Sequence, residues 1–495
     1  MLFNSIAFAI FFPIVFALYW FVFSKNLKIQ NILLLTASYV FYAFWDWRFL
    51  LLLVFISSIN FLLGLLINKP LWKTRSSIWF IVGIIANIGI LSYFKYANFF
   101  IESFINLFSI LGFSLQKSTI NIILPLGISF YTFLSISYII DIYQKKLQAS
   151  KNLIDVLLTL SFFPIILAGP IQRPISLLPQ IQTKRTFNYS FATDGLRQIL
   201  WGLFMKIVIA DRCAIIVNEI FHNSINYSGS TLLFGGICFT IQVYSDFAGY
   251  SLIAIGISRL LGFDVMRNFS LPYFSRNIAE FWKRWHISLT TWFRDYVFLP
   301  ISYAISRKIP SDKLWVIKTD IFIYIVGISI TWMLTGLWHG ANYTFVIWGG
   351  INGFFLIIYQ VLKKPRKKLL KYLKVNKDNL FLIALERIYI LSIIIVFWVI
   401  FRAESMGHAL DYISGIFSPS IFTIPEFTLF NSVFTTIILI CIFILIEWFT
   451  RDKLHPLFQL EVVLNKPTRW SIYYAILITI IFFAGKQQEF LYFQF

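Results

Sequence analysis

Two histidines stand where proton chemistry could be done. His339 lies in "LTGLWHGANY", residues 334–343, and from Ile321 to Leu362 no other side chain titrates near neutral pH. Imidazole is the one side chain whose ordinary pKa, about 6.5, lets it take or give a proton there. A charge at membrane depth costs about 2.5–3.5 kcal/mol on insertion scales, so a histidine in such a run needs a reason. Thr335, Gly336, Gly340, Asn342 and Tyr343 crowd around it. Glycines there would admit another backbone or a ligand at close range. Two readings stand: a satisfied core histidine, or a general base.

His286 lies in "NIAEFWKRWHISLTTWFRDYVF", residues 277–298. Trp282, Trp285, Leu289, Trp292 and Tyr296 recur at helical spacing, and Glu280 and Arg284 form an i,i+4 pair. The pattern predicts one short amphipathic helix, too polar to span, with His286 in its middle. Arg276, Lys283, Arg294, Arg307 and Lys308 put it on the cytoplasmic side. His286 either satisfies a backbone carbonyl or serves a site. Upstream, Asp246 in "QVYSDFAGYS" is a carboxylate within an apolar run. It is either functional or paired with Arg259 or another buried base.

The elements that carry these residues are membrane helices. Of 495 residues 59% are hydrophobic and 13% charged, with mean hydropathy +0.77. Soluble domains carry about twice that share of charge. The expected class is an all-α polytopic membrane protein forming one integral-membrane domain over 1–495. Net charge is +20, but the basic residues sit in short connections, which indicates membrane orientation and no nucleic acid. Cys213, Cys238 and Cys441 form neither a metal spacing nor a disulfide framework.

The first segment, "LFNSIAFAIFFPIVFALYWFVF", lacks the flanks of a cleavable signal and reads as a retained span. Lys25 and Lys28 after it place the N-terminus outside. Further apolar segments bring the expected number to 11–13 spanning helices, with short re-entrant or interfacial pieces. "KKPRKKLLKYLKVNK", residues 363–377, holds eight basic residues and no acid, and is expected to be a solvated cytoplasmic loop. Counting from it puts the start of the His339 span near its outer end and the aromatic tail, residues 486–495, outside.

"WKRWHISLTTWFRDYVFLPI" followed by "LTGLWHGANYTFVIWGGINGF" resembles the membrane-bound O-acyltransferase family, most closely its bacterial branch typified by alginate O-acetyltransferase membrane subunits. "YFKYANFF", "LPLGISFYTF", "FFPIILAGPIQRP", "GLFMKIVIADRCA" and "YSDFAGYSLIAIGISRLLGF" resemble that branch too, as does the ending "EFLYFQF". The resemblance runs in order along nearly the whole chain.

It implies tilted helices around a central funnel, with His339 and His286 at the family's two polar positions. His339 becomes the base that takes a hydroxyl proton. Trp338 and Asn342 become walls or orienters. Arg284, Lys283 and Ser288 fall on the cytoplasmic side, where a donor such as acetyl-CoA would dock; Asp246 is a further substrate-side candidate. No cofactor is expected to be bound. Neither a GxSxG element nor a Ser-His-Asp set is evident, which excludes a hydrolase-type acyltransferase.

The implied activity is acetyl transfer across a bacterial inner membrane to an outside polysaccharide of alginate, cellulose or peptidoglycan type. An extracytoplasmic partner of the SGNH-hydrolase type and membrane lipid are the implied associates. A lipid acyltransferase, a teichoic-acid D-alanyl transferase and a flippase without chemistry remain as alternatives. For the tail, Tyr492 is either part of an interfacial aromatic anchor or a covalent acyl carrier. A phenol ester, leaving-group pKa about 10, keeps much of a thioester's transfer potential.

Overall fold

The computed structural model describes residues 1–69, 75–113, 122–314, 317–376, 378–427, 430–485, 488 and 490–491. Among the described residues the regular structure is helix apart from a small antiparallel pair, Lys313–Leu314 with Ile317–Lys318. Lipid leaves no solvent partner for backbone groups, so apolar segments satisfy them internally as helices. Seven helices among the described residues are long and apolar enough to cross a membrane. Shorter apolar helices, Ile6–Val22, Ile128–Tyr143 and Leu153–Ile166, accompany them. The protein is a multi-pass membrane protein.

The chain divides into two compact units, Met1–Leu200 with Tyr250–Met266, and Trp201–Gly249 with Arg267–Phe495. In the first, the Ile128–Tyr143 helix is buried along almost its whole length. Leu134, Tyr138 and Ile142 pack there with Leu63, Val156 and Leu160. Polar ties hold neighbouring helices: Asn60 and Asn87 exchange amide hydrogen bonds of 3.1 and 2.9 Å, and Arg259 pairs with Asp194. Arg259 is therefore the partner of Asp194 rather than of Asp246.

In the second unit, the Thr319–His339 and Tyr343–Tyr372 helices form a tight hairpin. A Cβ on Gly336 would meet the Gly349 Cα at 3.1 Å, so these glycines set the closeness of the two backbones. Asn342 caps the second helix by accepting from the Thr344 N–H at 3.0 Å. The second helix continues to Tyr372, so most of the basic run 363–377 is helix, not the loop expected. Lys and Arg are good helix formers, and Pro365 does not end the helix.

A second correction concerns 277–298. The single helix expected there is two, Ile278–Arg284 and Ile287–Phe293, broken at Trp285 and His286. His286 has φ 41° and ψ 54°, the left-handed region. That conformation is uncommon for a residue with a side chain, and where it persists it is held by its surroundings.

Candidate active site

The break at His286 is stabilised by the segment just after the Gly229–Leu260 helix. Asn268 accepts the Ile287 N–H on its backbone oxygen at 2.8 Å, and Ser270 donates its N–H to the Arg284 carbonyl at 2.9 Å. Residues 268–270 thus take up the backbone groups that the missing helical turn would have paired. The Asn268 side chain completes the fastening. Its Oδ1 accepts from the Ser288 hydroxyl at 2.8 Å and the Ser288 N–H at 3.4 Å, and lies 2.9 Å from His286 Nδ1.

This network assigns the tautomer. The Ser288 backbone N–H can only donate, so the Asn268 atom facing it is the oxygen. An oxygen cannot donate, so His286 Nδ1 carries the hydrogen and Nε2 the lone pair. The ring is 1% exposed and stands edge-on to Phe247, centroids 4.6 Å apart at 89°. Burial lowers its pKa to about 3, so His286 is neutral at pH 7.

His339 ends the Thr319–His339 helix and is faced by aromatic rings. Trp348 lies 5.0 Å away at 84°, Phe401 5.1 Å at 83° and Trp338 4.8 Å at 72°. The Trp338 indole is also 6.1 Å from the His286 ring, so one side chain borders both imidazoles. Both histidines line one cavity of about 460 Å³. Its walls are largely apolar, including Trp282, Trp285 and Leu289. Lys283, Thr290, Arg294, Thr331 and Thr335 add polar groups. That mixture is what small-molecule sites commonly present.

The other expected site residues are distributed as follows. Lys283 lines the cavity. Trp338 borders both histidine rings but is not among the cavity's lining residues. Ser288 is fully buried, donates its hydroxyl to Asn268 and is not among the cavity's lining residues. Arg284 pairs with Glu280 at 2.7 Å and reaches the Ser270 carbonyl at 3.3 Å; it is not among the cavity's lining residues. Asn342 is a helix cap whose amide donates to the Glu404 carbonyl at 3.0 Å.

Asp246 is not in the cavity lining either. It is 2.7 Å from Lys206 Nζ, and Lys206 is 2.8 Å from Asp211. The other oxygen of Asp246 accepts the Leu491 N–H at 2.8 Å, and Lys206 donates to the Gln488 carbonyl at 3.3 Å. This buried cluster clamps the backbone of the tail. Phe490 and Leu491 are buried, with Phe490 6.1 Å from Phe247, the ring that seats His286. A lipid-facing belt therefore does not describe these two residues. Tyr492 lies outside the described residues. Among the described residues no group of three or more His, Cys, Asp or Glu could hold a metal ion.

Sequence reasoning missed Asn268, the residue that sets the His286 tautomer. It is 18 positions from His286 in a connection without motif character, and no periodicity links the two.

A membrane protein with a helix break and a helix end delivering two buried histidines to one cavity is built for transfer chemistry on a small group. The model of the membrane-bound O-acyltransferase family matches residues 144–311. A probable alginate O-acetylase, AlgI, of Pseudomonas aeruginosa is 37% identical over 421 residues, covering 84% of this chain and 75% of its own. A peptidoglycan O-acetyltransferase of Helicobacter pylori is 31% identical over 84% of this chain and 80% of its own. A teichoic acid D-alanyltransferase of Bacillus subtilis is 33% identical over 52% of this chain and 64% of its own. The chain belongs to the membrane-bound O-acyltransferase family, and it is a membrane O-acyltransferase.

Proposed function

We propose that the protein moves an acetyl group from a thioester donor, with acetyl-CoA the candidate, to a hydroxyl acceptor. The transfer would serve O-acetylation of an extracytoplasmic polysaccharide of alginate, cellulose or peptidoglycan type. The observation that carries the reading is the single cavity lined by both His286 and His339. The relatives named for O-acetylation support the acetyl group.

The low basicity of His286 divides the roles. A group held near 3 is too weak a base to take a hydroxyl proton efficiently at pH 7. In our reading His286 accepts a hydrogen bond through Nε2 and orients, while His339 is the base. His339 takes the hydroxyl proton as the oxygen attacks the thioester carbonyl carbon. The C–O bond forms, the C–S bond breaks, and the proton passes from His339 to the departing thiolate. Lys283 and Arg294, at the cavity wall, suit a negatively charged donor.

The charge pattern supports a donor from the cytoplasm, an inner-membrane location and both termini outside. The acceptor hydroxyl would then be approached from outside, with an SGNH-hydrolase-type partner completing delivery to the sugar. Asp246 holds Leu491, the residue before Tyr492, and a fixed neighbour supports a carrier role for Tyr492. Tyr492→Phe removes only the hydroxyl: a carrier loses polymer acetylation, an anchor keeps it.

The test is transfer of labelled acetyl from acetyl-CoA by membranes carrying wild-type protein or His339→Ala at equal abundance. Label reaching polymer only with the wild type supports the reading. Label in lipid, or transfer requiring an acylated carrier protein instead of CoA, overturns it in favour of a lipid or D-alanyl transferase.

A further inference from the structure

We propose that a second cavity, lined by Arg267, Arg451 and Lys453, binds the phosphate headgroup of an acidic phospholipid. It measures about 320 Å³, and Asp452 is the one acidic residue in its lining. Three cations against one carboxylate leave it electropositive. Among the described residues, none of the three cations has a carboxylate within ion-pair distance. Three other arginines of this unit do have carboxylate partners: Arg276 and Arg366 both pair with Glu386, and Arg284 with Glu280.

The two guanidiniums are held in place before any ligand arrives. Arg267 donates through Nε to the Phe269 carbonyl at 2.5 Å. Arg451 donates to the Trp448 carbonyl at 3.1 Å and lies 4.8 Å from the centre of the Trp448 ring. A guanidinium has five N–H donors, so each keeps several for an acceptor. Burial of Arg267 disfavours its charge, Tyr244 and Glu447 nearby offset part of that cost, and an anion in the cavity would offset more of it. Phosphate oxygens suit such a fork in charge and geometry.

A soluble phosphate would need nothing more, but the surroundings point to a lipid. Leu454, Phe458, Val462 and Val463 add apolar lining, beside the polar Gln459. Val462 is 78% exposed, Val463 66% and neighbouring Phe449 77%. An exposed apolar rim beside a cationic pocket matches a ligand with a phosphate at one end and hydrocarbon at the other. The headgroup would also sit one residue from Asn268, which fixes His286, so an occupied cavity borders the site's fastening. This inference does not depend on which acyl group is transferred.

The test counts lipid retained by the purified full chain in native mass spectrometry, with phosphatidylglycerol or phosphatidylcholine supplied in detergent. Wild type should retain phosphatidylglycerol in preference. Each basic charge near a lipid surface contributes about fivefold to affinity, so Arg451→Gln with Lys453→Gln should weaken retention about thirtyfold. Arg451→Lys with Lys453→Arg should retain it, which separates lost charge from lost folding. Removing two charges elsewhere, Lys363→Gln with Lys364→Gln, should leave retention unchanged. Equal retention of the two lipids, equal losses in the two neutralised pairs, or displacement of phosphatidylglycerol by acetyl-CoA or inorganic phosphate would overturn the proposal.

Discussion

His286 is held by polar groups and His339 by rings. Asn268 and Ser288 fasten the first, at a residue whose backbone leaves the helical region. Trp338, Trp348 and Phe401 face the second, at the end of an unbroken helix. Both meet the same cavity and the same indole. On the proposed function, this difference in surroundings assigns one residue type two roles. In the proposed reading, the fixed tautomer and low basicity of His286 make it an acceptor that orients, and His339 is the residue that exchanges protons.

The comparison breaks most sharply at His339. His339→Ala should cost about 10²–10⁴-fold in acyl transfer with the protein still accumulating, as removal of a general base does. Near-normal transfer by that variant would give His339 no part in the chemistry. The next largest effect is expected at Asp246, whose cluster supports the His286 side through Phe490 and Phe247. Asp246→Asn should cost about 3 kcal/mol, the low end for a broken buried pair, because Asp211 still faces Lys206. Thermal unfolding and proteolysis of the tail would measure it.

Asn268→Ala should be milder, about 1–3 kcal/mol, from a buried imidazole N–H left without its acceptor. It can be sharpened with pH. The His286 pKa is about 3 when folded and about 6.5 when unfolded. The unfolded chain then binds the extra proton between these values, so this contribution is complete above about 6.5 and lost as pH falls toward 3. His286→Gln should flatten that acid limb; an unchanged limb would assign it to other groups. The smallest change is Trp338→Phe. It should cost about 0.5–1.5 kcal/mol of ring contact and lower transfer modestly, because it touches both histidines and replaces neither.

Much of this was legible in the residues. The apolar runs determine helices, and His339 stands out because nothing else in its run titrates. The break at His286 was not legible: no Gly or Pro marks it, and the aromatic spacing continues through it as if the helix did. Only the 268–270 segment makes the break affordable in hydrogen bonds, and that is a tertiary fact. Ser288 was placed on the donor side with its charged neighbours, whereas its hydroxyl is buried against Asn268. The 363–377 run looked like a loop because its charges mask good helix formers. Asp246 called for a buried base, but spacing cannot choose Lys206 over Arg259.

Chemical rescue tests the division of labour most directly. Acetyl transfer by purified His339→Ala is followed with and without added imidazole, beside His286→Ala treated alike. The account predicts that imidazole restores part of the rate lost in His339→Ala, by entering the space beside Trp348 and Phe401 and taking the hydroxyl proton. It predicts no such recovery in His286→Ala, whose loss is one of orientation. Rescue of His286→Ala alone would contradict the account and make His286 the base.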